Sequence, residues 1–203
     1  MAIDVKAFRE APLDNNNYVV LDKESHEAIL IDCSADDPAV ENYIREQGAT
    51  LKYILITHGH FDHILGVNAV MKKYQVPAFI SPLDLYLVAD MNEWLMRMGF
   101  QTGIVPSLDV LPDRLMLGHI PIQVISTAGH TPGGVCYLIE DHLFSGDTLF
   151  CGTHGRVDLP LSDPRAMQDS LKNLMQLPDH VAVYPGHGRP TTIGAEKKNY
   201  TEL

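Results

Sequence analysis

Positive charge is scarce in this chain of 203 residues: 15 lysines and arginines stand against 26 aspartates and glutamates, a formal net charge of −11. No basic cluster is longer than Lys197-Lys198. A phosphate backbone is held by a cationic face, so a nucleic-acid partner is not expected. Cysteine is scarce too. Cys33, Cys136 and Cys151 form an odd set without CxxC spacing, which is no disulfide framework. Each lies in or beside an apolar run and reads as a small buried residue. No segment approaches the roughly 20 apolar residues that span a bilayer. The opening MAIDVKAFREAPLD mixes charges where a signal peptide would be apolar, so the cytoplasm is the expected location. Repeats, low-complexity tracts and Gly/Ser linkers are absent as well. The hydrophobic fraction of 45% and the length suit one globular domain over residues 1–203.

Short apolar runs alternate with helical patterns. YVVLD (18–22) and AILIDC (28–33) read as paired strands around KESHE. DDPAVENYIREQG (36–48) reads as a helix capped by Asp36 or Asp37 and ended by Gly48. YILI (53–56) is apolar on both faces, as in a strand covered on both sides. HILGVNAVMKKYQ (63–75) has helical spacing at Ile64, Val67, Val70 and Met71, and VPAFIS returns to a strand. Ser81-Pro82-Leu83-Asp84 has capping-box spacing for a helix or helix pair running to about Gly99. IPIQVIST (120–127), GVCYLIE (134–140), HLFSG (142–146) and VAVYPG (181–186) are further strands. DPRAMQDSLKNLMQL (163–177) and TIGAEKKNY (192–200) are further helices. The mixture points to α/β layers.

THGHFDH, residues 57–63, places three histidines and an aspartate directly behind YILI. Burying such groups unpartnered is expensive, so the stretch is either a solvated turn or a site. In an extended segment residues 58 and 60 share a face, and Asp62 and His63 follow where the chain turns. Zinc and similar ions take imidazole and carboxylate ligands, about four per zinc. By composition alone HxHxDH arises about twice in a thousand such chains. Three more signals follow apolar strands: His130 in STAGHTPGG, Asp147 in FSGDTLF and His187 in VYPGHG. Together they read as a metal site.

The order HxHxDH, H, D, H resembles the metallo-β-lactamase superfamily. THGHFDH, GHTPG, GDTLF and PGH together are most similar to its glyoxalase II (hydroxyacylglutathione hydrolase) branch. The resemblance runs from about Tyr18 to Thr192. It implies a four-layer αββα sandwich holding two divalent metal ions, zinc first, with iron or manganese as alternatives. Carried over, His58, His60 and His130 hold one ion, Asp62, His63 and His187 the other, and Asp147 bridges them. A metal-bridging hydroxide would then attack a thioester, with S-lactoylglutathione as the expected small-molecule substrate. The resemblance implies that Asp62 and Asp147 take part in the catalysis. Asp147 argues against β-lactam hydrolysis, because true β-lactamases of the superfamily have no aspartate there. Asp32, ending AILIDC, is expected either to orient a ligand histidine or to serve as a turn residue. In GTHGRVDLP (152–160), Arg156 is a candidate for a substrate carboxylate or for an ion pair with Asp158. His154 reads as a surface residue. DNNNY (14–18) reads as a turn or as groove lining, with Tyr18 a candidate substrate contact. Met91, Trp94, Met96, Met98 and Phe100 read as core or as a wall for an apolar tail. His26, His119, His142 and His180 read as surface or strand-edge residues. About fifteen residues follow PGHG, so the expectation is a compact form without the C-terminal helical region that grips glutathione in longer relatives. Persulfide dioxygenases of the same superfamily, which use one iron, carry nearly the same motifs and are the alternative.

Overall fold

Strand alternation determines the layers, and a computed structural model of the protein describes residues 2–200. In β2 (Asn15–Asp22), Val19 and Leu21 point to one side and Tyr18 and Val20 to the other. In β3 (Glu27–Ile31), Leu30 joins the first set while Ile29 and Ile31 join the second. β4 (Thr50–Leu55) continues this, with Ile54 outward and Leu55 inward. With β1 (Ile3–Glu10), β5 (Ala78–Ile80) and β6 (Asp109–Val110) they form a sheet in the order β1-β2-β3-β4-β5-β6. Its outer face is covered by α1 (Pro38–Glu46), α2 (Val67–Tyr74), α3 (Leu85–Ala89) and α4 (Met91–Arg97), through Val40, Ile44, Val67, Val70, Val88, Met91 and Leu95.

The second sheet contains β7 (Leu115–Leu117), β8 (Ile120–Ser126), β9 (Val135–Ile139), β10 (His142–Gly146), β13 (Ala182–Pro185) and β14 (Thr191–Thr192), in the order β14-β13-β10-β9-β8-β7. β11 (Leu149–Phe150) and β12 (Thr153–His154) pair as a separate ribbon. Val135, Tyr137, Ile139 and Phe144 meet the first sheet across the central core. Cys136, Leu143, Val181 and Val183 face outward onto α5 (Pro164–Leu174) and α6 (Ile193–Glu196). The result is the four-layer αββα sandwich. No helix among the described residues is long and apolar enough to cross a membrane.

Several boundaries differ from the sequence expectation. β1 carries mixed charges and gave no signal, and it pairs antiparallel with β2 along its full length, from Ile3–Asp22 to Glu10–Asn15. DNNNY is no turn: β2 begins at Asn15, and Asn15, Asn16 and Asn17 are buried. The helix expected from His63 starts at Val67, because Phe61–His63 form a 3-10 turn. Ser81 makes no capping hydrogen bond, and Asp84 is drawn elsewhere. The closing helix is one turn, Ile193–Glu196, followed by a 3-10 turn. Asp37 and Asp163 do cap α1 and α5 through backbone N–H groups. His142 is buried and stacks on Tyr184, which corrects its reading as an edge residue. Cys33 and Cys136 are buried, but Cys151 is only half-buried, with Arg189 Nε donating to its sulfur at 3.2 Å.

Candidate metal centre

The parallel pairing of β3 and β4 brings their carboxyl ends side by side, which sets Asp32 against Thr57. Asp32 adopts φ +58°, a left-handed conformation that aspartate tolerates better than most residues. From there its carboxylate accepts from the Thr57 N–H, the Thr57 hydroxyl and His63 Nδ1, each at 2.8 Å. Thr57 Oγ1 has its proton committed to Asp32, so at 3.1 Å it accepts from His58 Nδ1. Both rings therefore turn Nε2 away from Asp32.

The loop after β8 brings His130, the end of β10 brings Asp147, and the end of β13 brings His187. β10 and β13 are parallel neighbours, so their loops meet. Three groups of ligand-type atoms converge: His58 with His60 and His130; His58 with His63 and Asp147; Asp62 with His63 and His187. Asp147 reaches all sides: Oδ2 is 3.5 Å from His130 Nε2 and 3.6 Å from His187 Nε2, and Oδ1 is 3.6 Å from His63 Nε2. Asp62 Oδ2 is 3.4 Å from His187 Nε2 and 3.7 Å from His63 Nε2. His58 Nε2, His63 Nε2 and Asp147 Oδ1 are buried with no hydrogen-bond partner, all three aimed into this cluster. Buried polar atoms without partners are rare, and a cation accounts for them together. The donor set is suited to divalent metal ions.

The electrostatics agree. Burial and the neighbouring imidazoles push His58 well below the usual histidine range and His60 down to about 3, so both stay neutral. Burial would also neutralise His63, but Asp32, Asp62 and Asp147 outweigh it and hold the ring up at about 10. A bound cation would replace that proton. For Asp62, burial is outweighed by His63, His187 and Asn15, and its carboxyl stays below the ordinary range.

Other side chains fix these loops. Asn15 Nδ2 donates to Asp62 Oδ2 at 2.9 Å, and Asn16 Nδ2 donates to the carbonyls of Pro185 and Gly188, each at 2.9 Å. Asp84 is fully buried and accepts from Gly59 N–H (2.9 Å), Thr131 Oγ1 (2.8 Å) and Gly133 N–H (2.6 Å). It thereby joins the loop of His58 and His60 to the loop of His130. The sequence reads the asparagines as a turn or as groove lining and Asp84 as part of a capping box, because their actual partners lie far away in the chain. The only signal was three consecutive amides in front of an apolar run.

Beside the cluster lies a cavity of about 310 Å³, bordered by His60, Asp62, His130, Asp147 and His187 and walled by apolar side chains of α4 and nearby loops. Arg156 lines it, with both guanidinium contacts to Asp158 at 2.9 Å. Tyr18 does not reach it: the ring is buried against Phe144 and Tyr184, and its hydroxyl donates to the Pro185 carbonyl at 2.7 Å. That corrects Tyr18 from substrate contact to a brace for the strand before His187. His154 is half-buried in β12, with Nδ1 at 2.8 Å from the Gly155 carbonyl.

Comparison with known proteins places this geometry. The chain is 31% identical to the hydroxyacylglutathione hydrolase GloC of Haemophilus influenzae, over 97% of this chain and 94% of that one. A solved structure of TTHA1623 in a di-iron-bound form superposes with a TM-score of 0.87 at 33% identity, covering 98% of this chain and 100% of that one. The BLEG-1 B3 metallo-beta-lactamase superposes with a TM-score of 0.84 at 31% identity, covering 96% and 97%. The metallo-beta-lactamase superfamily profile matches residues 11–187. With the αββα layers and the histidine–aspartate cluster at their edge, the chain belongs to the metallo-beta-lactamase superfamily and is a metallo-hydrolase of that kind.

Proposed function

We propose that the protein hydrolyses thioesters, with S-2-hydroxyacylglutathiones such as S-lactoylglutathione giving glutathione and a 2-hydroxy acid. The observation that carries this reading is the position of Asp147, within 3.6 Å of ligand nitrogens on both sides of the cluster. A single carboxylate so placed suits two ions. His58, His60 and His130 would hold one, and Asp62, His63 and His187 the other, with Asp147 between them. Zinc, iron and manganese all accept these donors. Such a pair supplies a water ionised near neutral pH and Lewis acidity toward a carbonyl.

The chain's own residues account for the rest. Asp32 and Thr57 keep the Nδ1 protons of His63 and His58 in place, so that Nε2 stays available. The Arg156 carbonyl does the same for His130 Nδ1 at 2.8 Å. Among the described residues no serine, cysteine, lysine or tyrosine lines the cavity. Covalent catalysis therefore has no nucleophile there, and a leaving group has no proton donor apart from the ligands. A thiolate, whose conjugate acid has a pKa of about 8.5, departs without one. An amine or an alkoxide needs a proton or a metal ion to leave. The relationship to GloC supports the same substrate class.

The test is hydrolysis of S-D-lactoylglutathione by protein loaded separately with zinc, iron and manganese, with Asp147→Ala as control. Turnover lost in the control supports the proposal. If the folded, metal-loaded protein leaves this thioester intact, the reading fails. Oxygen consumption with glutathione persulfide would then favour the dioxygenase alternative, and nitrocefin cleavage a β-lactamase.

A further inference from the structure

We infer that the acyl arm of the groove extends the substrate range beyond 2-hydroxyacyl groups to medium-length aliphatic acyl groups, an inference that rests on the thioesterase reading and widens its substrate class. The wall of the 310 Å³ cavity beyond the ligands consists of Leu13, Phe61, Trp94, Met98, Phe150 and Leu159. Among the described residues Arg156 is its only cation, and Asp158 already answers that charge. Among the described residues this wall offers a 2-hydroxyl group only the Trp94 indole N–H and the remaining N–H groups of Arg156, and a lactoyl methyl covers little of its apolar area.

The apolar surface also continues outward. Met98 is 48% exposed and Leu13 37%, and Phe100, packed on Phe61 with ring centroids 6.1 Å apart, is 36% exposed. These residues already line or adjoin the groove, so an occupant anchored at the metal cluster is the one that covers them. The other arm differs in character. A second cavity of about 370 Å³ shares Phe150 and His187 with the first and is completed by Cys151, Thr153, Gly188 and Arg189. Arg189 meets the Cys151 sulfur and no carboxylate among the described residues. A carbonyl held at the cluster thus directs an apolar acyl chain toward α4 and a polar thiol carrier toward Arg189.

The test uses the metal-loaded protein and N-acetylcysteamine thioesters of lactate, acetate, butanoate, hexanoate and octanoate, so that only the acyl group varies. kcat/KM should rise with chain length by about two- to fourfold per methylene, the upper figure being the full burial of a CH₂ at about 0.8 kcal/mol. Met98→Glu, at the exposed rim, should flatten that rise. Trp94 is the single tryptophan, so its emission reports binding without turnover. On metal-free protein, S-octylglutathione should shift it at lower concentration than S-methylglutathione. Lactoyl turnover with a flat or falling chain-length profile overturns the inference and leaves the thioesterase reading intact. Chain-length-dependent binding at Trp94 with no thioester turnover preserves the apolar arm and sinks hydrolysis. Neither binding nor turnover overturns both.

Discussion

Asp84→Ala should weaken the protein and the metal centre together. The carboxylate is fully buried and takes three hydrogen bonds from two ligand-bearing loops. Hydrogen bonds to a charged group contribute about 1.5–3 kcal/mol each, but summing three of them overstates the loss. Burial outweighs the donors and leaves the Asp84 carboxyl above the ordinary range, so desolvation already offsets part of the gain. The better measure is what remains after the carboxylate is removed. The N–H groups of Gly59 and Gly133 would lose their acceptor, at about 1–3 kcal/mol each, while the Thr131 hydroxyl can rotate to another partner. A loss of about 2–6 kcal/mol is expected, a large share of a typical stability of about 5–15 kcal/mol. Urea unfolding of metal-free protein measures it, and metal content after dialysis against a chelator measures the second effect. The His58–His60–His130 set should release its ion first. Asp84→Asn should rescue little, because the amide keeps the shape but turns a donor toward backbone donors. A loss below about 1 kcal/mol with full metal content would refute the account of Asp84 as a clamp.

Three further changes test neighbouring parts of the argument. Gly186→Ala puts a Cβ into Asp147 Oδ1 and 2.8 Å from His63 Cε1, so it should reduce metal content and turnover far more than the unfolding midpoint; the reverse order would contradict the placement. Asp32→Asn should retain the turn at φ +58° yet weaken chelator-competed metal binding by about 10–100-fold, because His63 loses its charged acceptor. Glu10 is held up at about 7 by burial and by Asp37, so the fold prefers its protonated form. Its favourable contribution is complete below its ordinary 4.5 and disappears as pH rises through about 7. Glu10→Gln, which mimics the protonated form, should match the parent in thermal midpoint below pH 4.5 and exceed it increasingly up to about pH 7. Equal midpoints at pH 8 would argue against this assignment.

What was legible in the sequence depended on how local the cause was. Val19 and Leu21 opposite Tyr18 and Val20 follow from the two-residue period of a strand, and that pattern is written in consecutive letters. The ligands stood out because chemically rare groups recur directly behind apolar runs. Asn15, Asn16 and Asn17 were misread because amides usually mark turns. Here Asn16 is buried against carbonyls of Pro185 and Gly188, partners that only the fold brings near. Asp84 was misread for the same reason. A local capping box at Ser81 competes with three donors on distant loops, and the distant donors win because they would otherwise be buried without an acceptor. The helix expected at His63 begins at Val67 because Asp62 and His63 are used in the 3-10 turn. The chain must also pass the Ala35 backbone so closely that only Gly66 fits.

These misreadings have a common physical origin. A ligand cluster that belongs to two sheets cannot be held by the hydrogen bonds of either sheet, since each ladder ends where its loop begins. The support must come from side chains that cross between elements. Asp32 ties the end of β3 to Thr57 and His63, Asn15 and Asn16 tie β2 to Asp62 and the loop after β13, and Asp84 ties the β4 loop to the loop after β8. Each of these residues is polar, buried and remote in sequence from the atoms it holds. Asp32, at a strand end, is readable as the residue that orients a ligand histidine, whereas the asparagines read as a turn or groove lining and Asp84 as part of a cap. Substitutions at Asp32, Asn15 and Asn16 should therefore act on metal retention before they act on the sandwich, whose three apolar clusters do not include them, whereas loss of Asp84 strands backbone donors and should act on both.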